Sequence, residues 1–397
     1  MWKLPAGAEF VLKRLQDAGY QGYVVGGCVR DTLLGKVPKD WDVCTNALPH
    51  EMQRIFADCH VIETGLQHGT LTVMYHYEPF EVTTFRVDGE YTDHRHPDQV
   101  IFVADVRDDL SRRDFTVNAM AWNHEGGVVD AFGGQEDLKN RLIRCVGEPE
   151  KRFQEDALRI MRALRFASVY GFAIDPATDA AIHALKHTLA DVAAERIRVE
   201  LAKLLCGDGA GDILRAYPDV MQVIMPQLAN VDWPSTVTAV EAAESEEKAR
   251  LAMLLHQLSP AEAKDVLISL KPDNFTRDWV LMLITHQDDP FHPTRHSLLT
   301  ALSLFGKTET YELLAVRQAK GAPDVESLRD VLEEVLRDGI CYSVKDMAVN
   351  GRDMLALGAK GKAVGECLSY LLSLLIAEKL PNEREALLAA AKAHLGV

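Results

Sequence analysis

Runs typical of β-strands are confined to about the first 135 residues of this 397-residue chain. Short apolar or alternating stretches, such as "GYVV" at 22–25, are separated there by turn residues. From about Glu136 to Val397 helix-forming residues dominate, with breaks at Gly- and Pro-rich stretches. The pattern predicts an α+β fold, in which a small head with a mixed β-sheet precedes an all-helical remainder.

The head sequence predicts two hairpins and several short elements. "HGTLTVMYH" and "PFEVTTFRV" read as one hairpin joined through "YHYEP", and "FTVNAMAWN" with "GGVVDAFGG" reads as a second. "CVRDTLLG" predicts a helix that ends at Gly35, and "WDVCT" predicts a strand. Beyond the head, "EDALRIMRALRFA" (155–167) predicts a helix with one apolar face.

Length and charge restrict the possible partners. A chain of 397 residues is long enough for two to four units. The net charge of −16 argues against a broad nucleic-acid-binding surface, because phosphate affinity comes largely from Lys and Arg. Between Lys139 and Arg165, however, eight basic residues face four acidic ones. This local surplus suggests a confined anion site, and the alternative interpretation is a solvated helix face.

The cysteines and the apolar runs indicate a cytoplasmic protein with no membrane association. Seven cysteines are widely spread and none forms a CxxC pair, which favours reduced thiols. No apolar run approaches the roughly 18 residues of a membrane helix. The first residues, "MWKLPAGAEF", lack the basic start and apolar stretch of a signal peptide.

Two glycines and two aspartates flank the first short helix predicted in the head. Backbone N–H groups after Gly26 and Gly27 can face an anion, and Arg30 can bind the same anion. In an extended "DWD" segment the side chains of Asp40 and Asp42 point the same way. Such carboxylates are ligands for Mg²⁺, and a metal held between carboxylates and a triphosphate is usual in nucleotidyl transfer. The alternative is a tight turn followed by solvated aspartates.

Further candidates lie on a later strand and in the following loop. Glu81 could help to bind the metal or accept the proton of an attacking hydroxyl; the alternative is an exposed strand glutamate. In "SRRDFTVNAM" (111–120), Arg113 lies near Asp114 and Asn118. These types suit phosphate neutralisation and ribose contact, and the alternative is a loop ion pair of little energetic value.

The helix predicted at 155–167 places Asp156, Arg159, Arg162 and Arg165 along roughly one face. A carboxylate accepts from the amino group of cytosine or adenine, and a guanidinium donates to the adjacent ring acceptor. Uracil and guanine present a carbonyl to the carboxylate instead. An Asp/Arg pair can therefore select C and A without a template, although a surface ladder of ion pairs has the same spacing.

The ordered set of motifs resembles the class II branch of the nucleotidyltransferases, which contains tRNA CCA-adding enzymes and bacterial poly(A) polymerases. The residues that carry the resemblance are "GGCVRD", "DWD", "RRDFTVNAM", "DAFGGQEDL", "EDALRIMRALRF" and "ERIRVELAKLL". Near the C-terminus, "AVNGRDMLALG" and "LPNEREALL" resemble the tail of Firmicutes-type CCA-adding enzymes. The residues between about 210 and 325 carry little of the resemblance.

The resemblance implies a seahorse-shaped protein that adds C, C and A to the 3′ end of tRNA from CTP and ATP with Mg²⁺. The implied parts are a catalytic head (1–145), a nucleotide-selecting neck (146–205), a body (206–325) and a tRNA-binding tail (326–397). The resemblance also implies roles for individual residues. Asp40 and Asp42 would hold Mg²⁺, and Gly27, Arg30 and Arg113 would contact the nucleotide. Asp156 and Arg159 would read its base, and Arg162 and Arg165 would hold its phosphates.

Four alternatives to full CCA addition can be compared on the sequence. The polar stretch "DGEYTDHRHPDQV" (88–100) is a loop that CC-only adders lack, so its presence argues against CC-only addition. Nothing in the sequence excludes an enzyme that adds only A. A poly(A) polymerase is less favoured because the C-terminus lacks a basic extension, and a non-catalytic RNA-binding module is disfavoured because Asp40 and Asp42 are both present.

Overall fold

The computed structural model describes residues 2–89 and 100–397, and the chain forms two compact units. The units are residues 1–229 with 269–271, and residues 230–268 with 272–397. The polar loop predicted at 88–100 falls largely outside the described residues, so the argument that it makes against CC-only addition stays a prediction. The predicted boundaries of head, neck, body and tail also stay predictions.

Eleven strands occur in the part of the chain that the structure describes. They are β1 (Gly22–Val25), β2 (Val43–Thr45), β3 (His60–Ile62), β4 (Thr70–Tyr75), β5 (Glu78–Thr84), β6 (Arg86–Asp88), β7 (Val100–Phe102), β8 (Met120–Asn123), β9 (Gly127–Asp130), β10 (Leu142–Ile143) and β11 (Ala173–Ile174). Seven of them form one sheet in the order β3-β4-β5-β2-β1-β8-β9. Within it β2 and β5 are parallel and the other neighbours are antiparallel, so the predicted mixed sheet is confirmed.

Both predicted hairpins are present in this sheet. β4 and β5 pair antiparallel from Thr70 opposite Thr83 to Tyr75 opposite Glu78, and β8 pairs with β9. The strand predicted at "WDVCT" begins only at Val43, although its pairing with β1 reaches one residue further back, because Val25 N–H donates to the Asp42 carbonyl at 3.0 Å. The "DWD" segment is therefore the entrance to a buried strand.

Helices pack on both faces of the sheet. The head helices are α1 (Ala6–Asp17), α2 (Gly27–Leu33), α3 (Pro49–Ile55), α4 (Val106–Ser111) and α5 (Gly134–Lys139). Helix α1 buries Val11 and Leu15 against β1, β2 and β5. On α4, Val106 and Leu110 pack in one apolar cluster with Cys44 of β2. Because side chains alternate along a strand, Asp42 lies on the same face as Cys44.

The rest of the described chain is almost entirely helical, as predicted. Its helices are α6 (Pro149–Glu155), α7 (Leu158–Tyr170), α8 (Pro176–Leu185), α9 (Ala194–Leu205), α10 (Ala210–Ala216), α11 (Pro218–Ile224), α12 (Trp233–Ala242), α13 (Glu247–Leu255), α14 (Pro260–Leu270), α15 (Asn274–His286), α16 (Arg295–Phe305), α17 (Lys307–Ala319), α18 (Val325–Arg337), α19 (Gly351–Ala356), α20 (Lys362–Ile376) and α21 (Arg384–Leu395). The exceptions are β10 and β11, which form a two-residue parallel pair.

The single helix predicted over 155–167 is wrong at its start. Helix α6 ends at Glu155, α7 begins at Leu158, and Asp156 lies between them with φ −148°. The Asp156 carboxylate accepts a hydrogen bond from the Leu158 backbone N–H at 3.1 Å. Aspartate competes in this way with the backbone bonds of a helix, which explains the break.

The second unit is built from amphipathic helices around its own core. In α18 the buried residues Val325, Leu328, Leu332 and Val335 recur at helical spacing. In the last 60 residues Cys367 and Leu371 of α20 form a buried cluster with Leu387 of α21. Within residues 2–89 and 100–397, no helix combines the length and apolarity needed to cross a membrane.

Candidate active site

Parallel pairing brings a third carboxylate to the "DWD" segment. Val43 of β2 lies opposite Val82 of β5, so the same register continued by one residue places Asp42 beside Glu81. Equivalent positions of neighbouring strands face the same side of a sheet. Asp40 precedes Asp42 by two residues, at the entrance to β2. The fold thus collects three carboxylates from segments about 40 residues apart in sequence.

The charges of these carboxylates act on one another. Partial desolvation raises the pKa of Asp42, and the negative charges of Glu81 and Asp40 raise it further, whereas Arg113 lowers it. Asp42 nevertheless remains exposed to solvent. The ionised form of Asp42 is therefore destabilised by its surroundings, and a cation bound at this position would stabilise it.

The donor set fits a divalent metal bound partly by substrate. Carboxylate oxygens are the ligands that Mg²⁺ prefers, and Mg²⁺ usually binds through one or two carboxylates with water and phosphate oxygens. The three carboxylates are neighbours but do not form a preassembled metal-binding cluster, and no other group of three or more metal-ligating side chains occurs among the described residues. Asp40 and Asp42 would hold such an ion, and phosphate oxygens would complete its coordination.

Two glycines allow two guanidinium groups to approach the backbone beside these carboxylates. Gly26 has φ 79° and ψ −125°, a conformation that other residues rarely adopt, and a Cβ there would lie 2.8 Å from Arg113 Nη1. A Cβ on Gly27 would lie 3.4 Å from Arg30 Nη2. Both guanidinium groups therefore lie against this backbone turn, where their donors and charges suit a phosphate.

A chain of hydrogen bonds joins Arg30 to helix α7. Arg30 is buried and donates to Asn118 Oδ1 at 2.5 Å, and Asn118 Nδ2 donates to Asp114 Oδ1 at 3.1 Å. Arg162 Nε donates to Asp114 Oδ2 at 2.8 Å. Burial alone would raise the pKa of Asp114, but Arg162 and the Asn118 hydrogen bond outweigh it and lower the pKa to about 2. Asp114 is therefore ionised, and it binds Arg162 directly and Arg30 through Asn118; both arginines are candidates for phosphate binding.

Asp109 fixes the arginine beside Gly26 and was missed by the sequence analysis. It is fully buried and bonds to Arg112 at 2.9 Å and to Arg113 at 3.4 Å. Burial raises its pKa, but Arg113 and Arg112 outweigh that effect and hold the pKa below its ordinary value. The i, i+3, i+4 spacing of an aspartate and two arginines in "DLSRR" was the available signal.

The candidate base-reading residues are fixed by partners that the sequence did not reveal. Asp156 Oδ2 accepts from Arg196 Nη2 at 2.8 Å, and α9 carries that arginine. Arg159 is buried and donates to Glu155 Oε2 at 2.7 Å. Arg165 Nε donates to Glu200 Oε2 at 2.7 Å. Arg196 and Glu200 lie four residues apart in "ERIRVELAKLL", so they share one face of α9.

The structure thus brings together all the candidate residues within one unit, in two connected groups. The first group, at the sheet, comprises Gly26, Gly27, Arg30, Asp40, Asp42, Glu81 and Arg113; the second, which Asp114 and Asn118 link to it, comprises Asp156, Arg159, Arg162 and Arg165. The roles assigned to these residues stay predictions, because their positions do not by themselves show a bound substrate.

Family models match three successive parts of the chain. Residues 22–144 match the poly(A) polymerase head domain, and residues 171–231 match the model described as the probable RNA- and SrmB-binding site of polymerase A. Residues 242–391 match the model described as tRNA nucleotidyltransferase domain 2, putative. Together with the carboxylates and the guanidinium-lined glycine turn, the head match defines a nucleotidyltransferase.

Similar proteins identify the family within this class. A CCA-adding enzyme of Geobacillus thermodenitrificans is 36% identical over 390 residues, covering 96% of this chain and 94% of that protein. A CCA-adding enzyme of Leuconostoc mesenteroides is 48% identical over 231 residues, 58% of this chain and 57% of that protein. The crystal structure of the Bacillus stearothermophilus CCA-adding enzyme in complex with CTP matches with a TM-score of 0.84 and 32% identity, covering 100% of this chain and 98% of that one. The chain belongs to the family of CCA-adding enzymes.

Proposed function

We propose that this protein adds C, C and A in turn to the 3′ end of tRNA, using CTP and ATP in a Mg²⁺-dependent nucleotidyl transfer in the cytoplasm. The observation that carries the proposal is that Asp42 lies next to Glu81, close enough to Asp40 and Arg113 to feel their charges, while Arg30 and Arg113 lie against the glycine turn. The full-length similarity to CCA-adding enzymes supports the tRNA substrate.

In this proposal Arg30 and Arg113 bind the triphosphate, and Asp40 and Asp42 hold the metal next to it. Bound Mg²⁺ would neutralise the charge that develops on the phosphate oxygens. Glu81, beside Asp42, accepts the proton of the attacking 3′-hydroxyl. Asp109 holds the Arg113 guanidinium in a fixed orientation, so that little reorganisation is needed during the reaction.

Nucleotide selection falls to Asp156 and Arg159. A carboxylate has about four acceptor positions, so Asp156 can accept from a base amino group while it keeps its bonds to Leu158 and Arg196. Arg159 donates to the ring acceptor next to that amino group, its orientation fixed by Glu155. Arg162 and Arg165 hold the phosphates from the neck side. Residues 1–145 would then perform the chemistry, 146–205 would select the nucleotide, and 326–397 would bind tRNA.

Three tRNA substrates test the proposed reaction. Full-length protein is incubated with Mg²⁺, both CTP and ATP, one of them labelled, and tRNA that ends before CCA, after the first C, or after CC. The proposal expects two cytidines and one adenosine on the first substrate, one of each on the second, and one adenosine on the third. Incorporation of ATP alone, only on tRNA ending in CC, would instead identify an A-adding enzyme. Long adenosine tails would identify a poly(A) polymerase.

A further inference from the structure

Tyr170, the last residue of α7, contacts the helix that follows the glycine turn. Its hydroxyl donates to Asp31 Oδ1 at 2.9 Å, although 139 residues separate the two in the sequence. The same oxygen accepts from Arg30 Nε at 2.9 Å, and the Arg30 guanidinium carbon lies 4.7 Å from the centre of the Tyr170 ring. Tyr170 therefore contacts this arginine through its ring and, indirectly, through the Asp31 carboxylate. None of the roles proposed above uses Tyr170 or Asp31.

The hydrogen bonds of Arg30 leave one of its nitrogens available for a ligand. Nε donates to Asp31 and Nη1 donates to Asn118, whereas Nη2 forms no hydrogen bond with any residue in 2–89 or 100–397. Nη2 is also the atom that lies 3.4 Å from the position of a Cβ on Gly27. A planar guanidinium that is held at two of its nitrogens has little freedom to rotate. Asp31 and Asn118 therefore keep the remaining donors of Arg30 beside the glycine turn.

The position of the Asp31 carboxylate depends on Tyr170. Consecutive residues of a helix do not face each other, so the helix alone does not hold the Asp31 side chain against Arg30. Within the described ranges the Asp31 carboxylate has Arg30 and Tyr170 as its only side-chain partners. Burial raises the pKa of Tyr170 to about 12, with Arg30 opposing and Asp31 reinforcing the shift. The hydroxyl therefore keeps its proton and donates it to Asp31 at neutral pH.

Tyr170 also belongs to an aromatic pair that contacts three arginines. Its ring stacks on that of Phe166, with the two centres 6.1 Å apart. The guanidinium carbons of Arg30, Arg162 and Arg165 lie 5.2, 5.4 and 3.7 Å from the centre of the Phe166 ring. Aromatic faces attract cations at such distances. The two rings therefore offset part of the repulsion among three arginines that are proposed to bind phosphates.

We propose that Tyr170 is a positioning residue for nucleotide binding, which holds Asp31 and thereby keeps Arg30 Nη2 directed at the incoming triphosphate. The proposal rests on the triphosphate-binding role of Arg30 proposed above and adds to it a residue that does not itself touch the substrate. Because Arg30 contacts phosphates, Tyr170 acts equally on CTP and ATP. The choice between bases stays with Asp156 and Arg159.

The first test removes only the hydroxyl group. Tyr170→Phe keeps the ring beside Arg30 but loses the hydrogen bond to Asp31, so the KM values for CTP and ATP should both rise about 3- to 10-fold. The kcat should stay within about twofold, because the loss affects the bound substrate and the transition state alike. The inhibition constant of pyrophosphate, which carries no base, should rise by the same factor as the KM values. The CTP:UTP ratio should not change.

Tyr217→Phe is the matched control. Tyr217 also donates its hydroxyl to an aspartate, Asp179 Oδ1 at 2.6 Å, and its ring stacks on His183. Both partners lie on α8 and neither is a candidate site residue. Tyr217→Phe should lower the thermal unfolding midpoint about as much as Tyr170→Phe and leave both KM values unchanged. Equal increases of KM in the two variants would show a general loss of stability and would overturn the proposal.

Asp31→Ala tests whether the effect of Tyr170 passes through the carboxylate. This variant should raise the KM for CTP at least as much as Tyr170→Phe does. The double variant should stay within about twofold of Asp31→Ala, because the hydroxyl then has no carboxylate to hold. An unchanged KM in Tyr170→Phe would overturn the proposal, and so would a double variant in which the two increases multiply in full.

Calorimetric binding of CTP to the full chain without tRNA separates this proposal from the proposed function. Weaker CTP binding by Tyr170→Phe than by wild type supports the positioning role, whether or not the protein extends tRNA. Equal CTP affinities of the two proteins would refute the positioning role alone. Wild-type protein that binds CTP but adds no nucleotide to tRNA would refute the proposed function alone, and wild-type protein that binds no CTP would refute both.

Discussion

Arg162 and Asp114 are joined by two contacts, at 2.6 and 2.8 Å, although 48 residues separate them in the sequence. Through Asn118 the same carboxylate is connected to Arg30, which lies beside the glycine turn. One ionised aspartate therefore sets the relative positions of an arginine in the head sheet region and an arginine on α7. Because ionised Asp114 both stabilises the fold and positions these arginines, its protonation should affect stability and the geometry of the candidate site together.

The first prediction concerns pH and Asp114. Its folded pKa of about 2 lies below the ordinary value, so ionised Asp114 stabilises the fold above about pH 4 and this contribution is lost as the pH falls toward 2. Asp114→Asn should lower the free energy of unfolding by about 2–3 kcal/mol at pH 7, and the difference from wild type should shrink near pH 2.5. Urea unfolding at both pH values measures this.

Asp212→Asn is the control for that experiment. Asp212 pairs with Arg215 at the surface, so its replacement should change the unfolding free energy by less than about 1 kcal/mol at either pH. A loss for Asp114→Asn that is equally large at pH 7 and pH 2.5 would show that its carboxylate charge is not the stabilising feature.

The second prediction concerns the candidate metal ligand Asp42. Asp42→Asn removes one charge from the proposed metal site, so nucleotide incorporation should fall by a factor on the order of 10³ or more. Stability in EDTA should be unchanged or higher, because desolvation and neighbouring carboxylates already disfavour the ionised form. Asp17→Asn, an exposed position on α1, should leave both quantities unchanged. Near-normal turnover of Asp42→Asn at ordinary Mg²⁺ would refute the site.

The third prediction concerns the glycine turn. Gly26→Ala forces a side chain into a conformation of positive φ and against Arg113, so it should lose about 1–3 kcal/mol of stability and raise the KM for CTP and ATP together. Gly19→Ala is the matched control, because Gly19 has φ 85° but no atom within 4 Å of its added Cβ. It should lose stability without any change in KM. Equal effects of both variants on KM would exclude a specific role for the Gly26–Arg113 contact.

The fourth prediction concerns base selection. Asp156→Ala removes the group that repels the O4 carbonyl of uracil, so discrimination of CTP over UTP should fall about 5- to 150-fold. Single-nucleotide addition kinetics with each triphosphate give this ratio. Arg159→Ala should instead weaken CTP and ATP together. If Asp156 and Arg159 serve only the structural ion pairs that they form with Arg196 and Glu155, both changes should have small, parallel effects and leave the CTP:UTP ratio unaltered in folded protein.

Arg196 provides an internal comparison for that prediction. It bonds to Asp156 but was not assigned a contact with the nucleotide. If it acts by orienting Asp156, Arg196→Ala should lower the CTP:UTP ratio in the same direction as Asp156→Ala, and the double variant should lose little more than Asp156→Ala alone. Additive losses would show that the two residues act independently.

Local pattern was sufficient for much of the fold. The alternating runs of β4 and β5 predicted a hairpin, and the Gly26–Gly27 turn predicted the start of α2, because strand alternation and glycine turns are properties of neighbouring residues. The same reasoning failed at Asp156, where the spacing predicted one continuous helix. The Asp156 side chain instead accepts a hydrogen bond from the Leu158 backbone N–H, and the chain breaks there into α6 and α7.

The sequence by itself determined which chemical groups are available to a site. They are the two carboxylates of "DWD", the glycine pair and the arginines that follow it. Only the tertiary structure decided how these groups are supported. Parallel pairing of β2 with β5 placed Glu81 beside Asp42, and packing of α7 brought Arg162 to the buried Asp114, whose ionised form that arginine stabilises. Packing of α9 on α7 brought Arg196 to Asp156. Contacts between residues about 40 or more positions apart depend on strand register and helix packing, which no local spacing in the chain records.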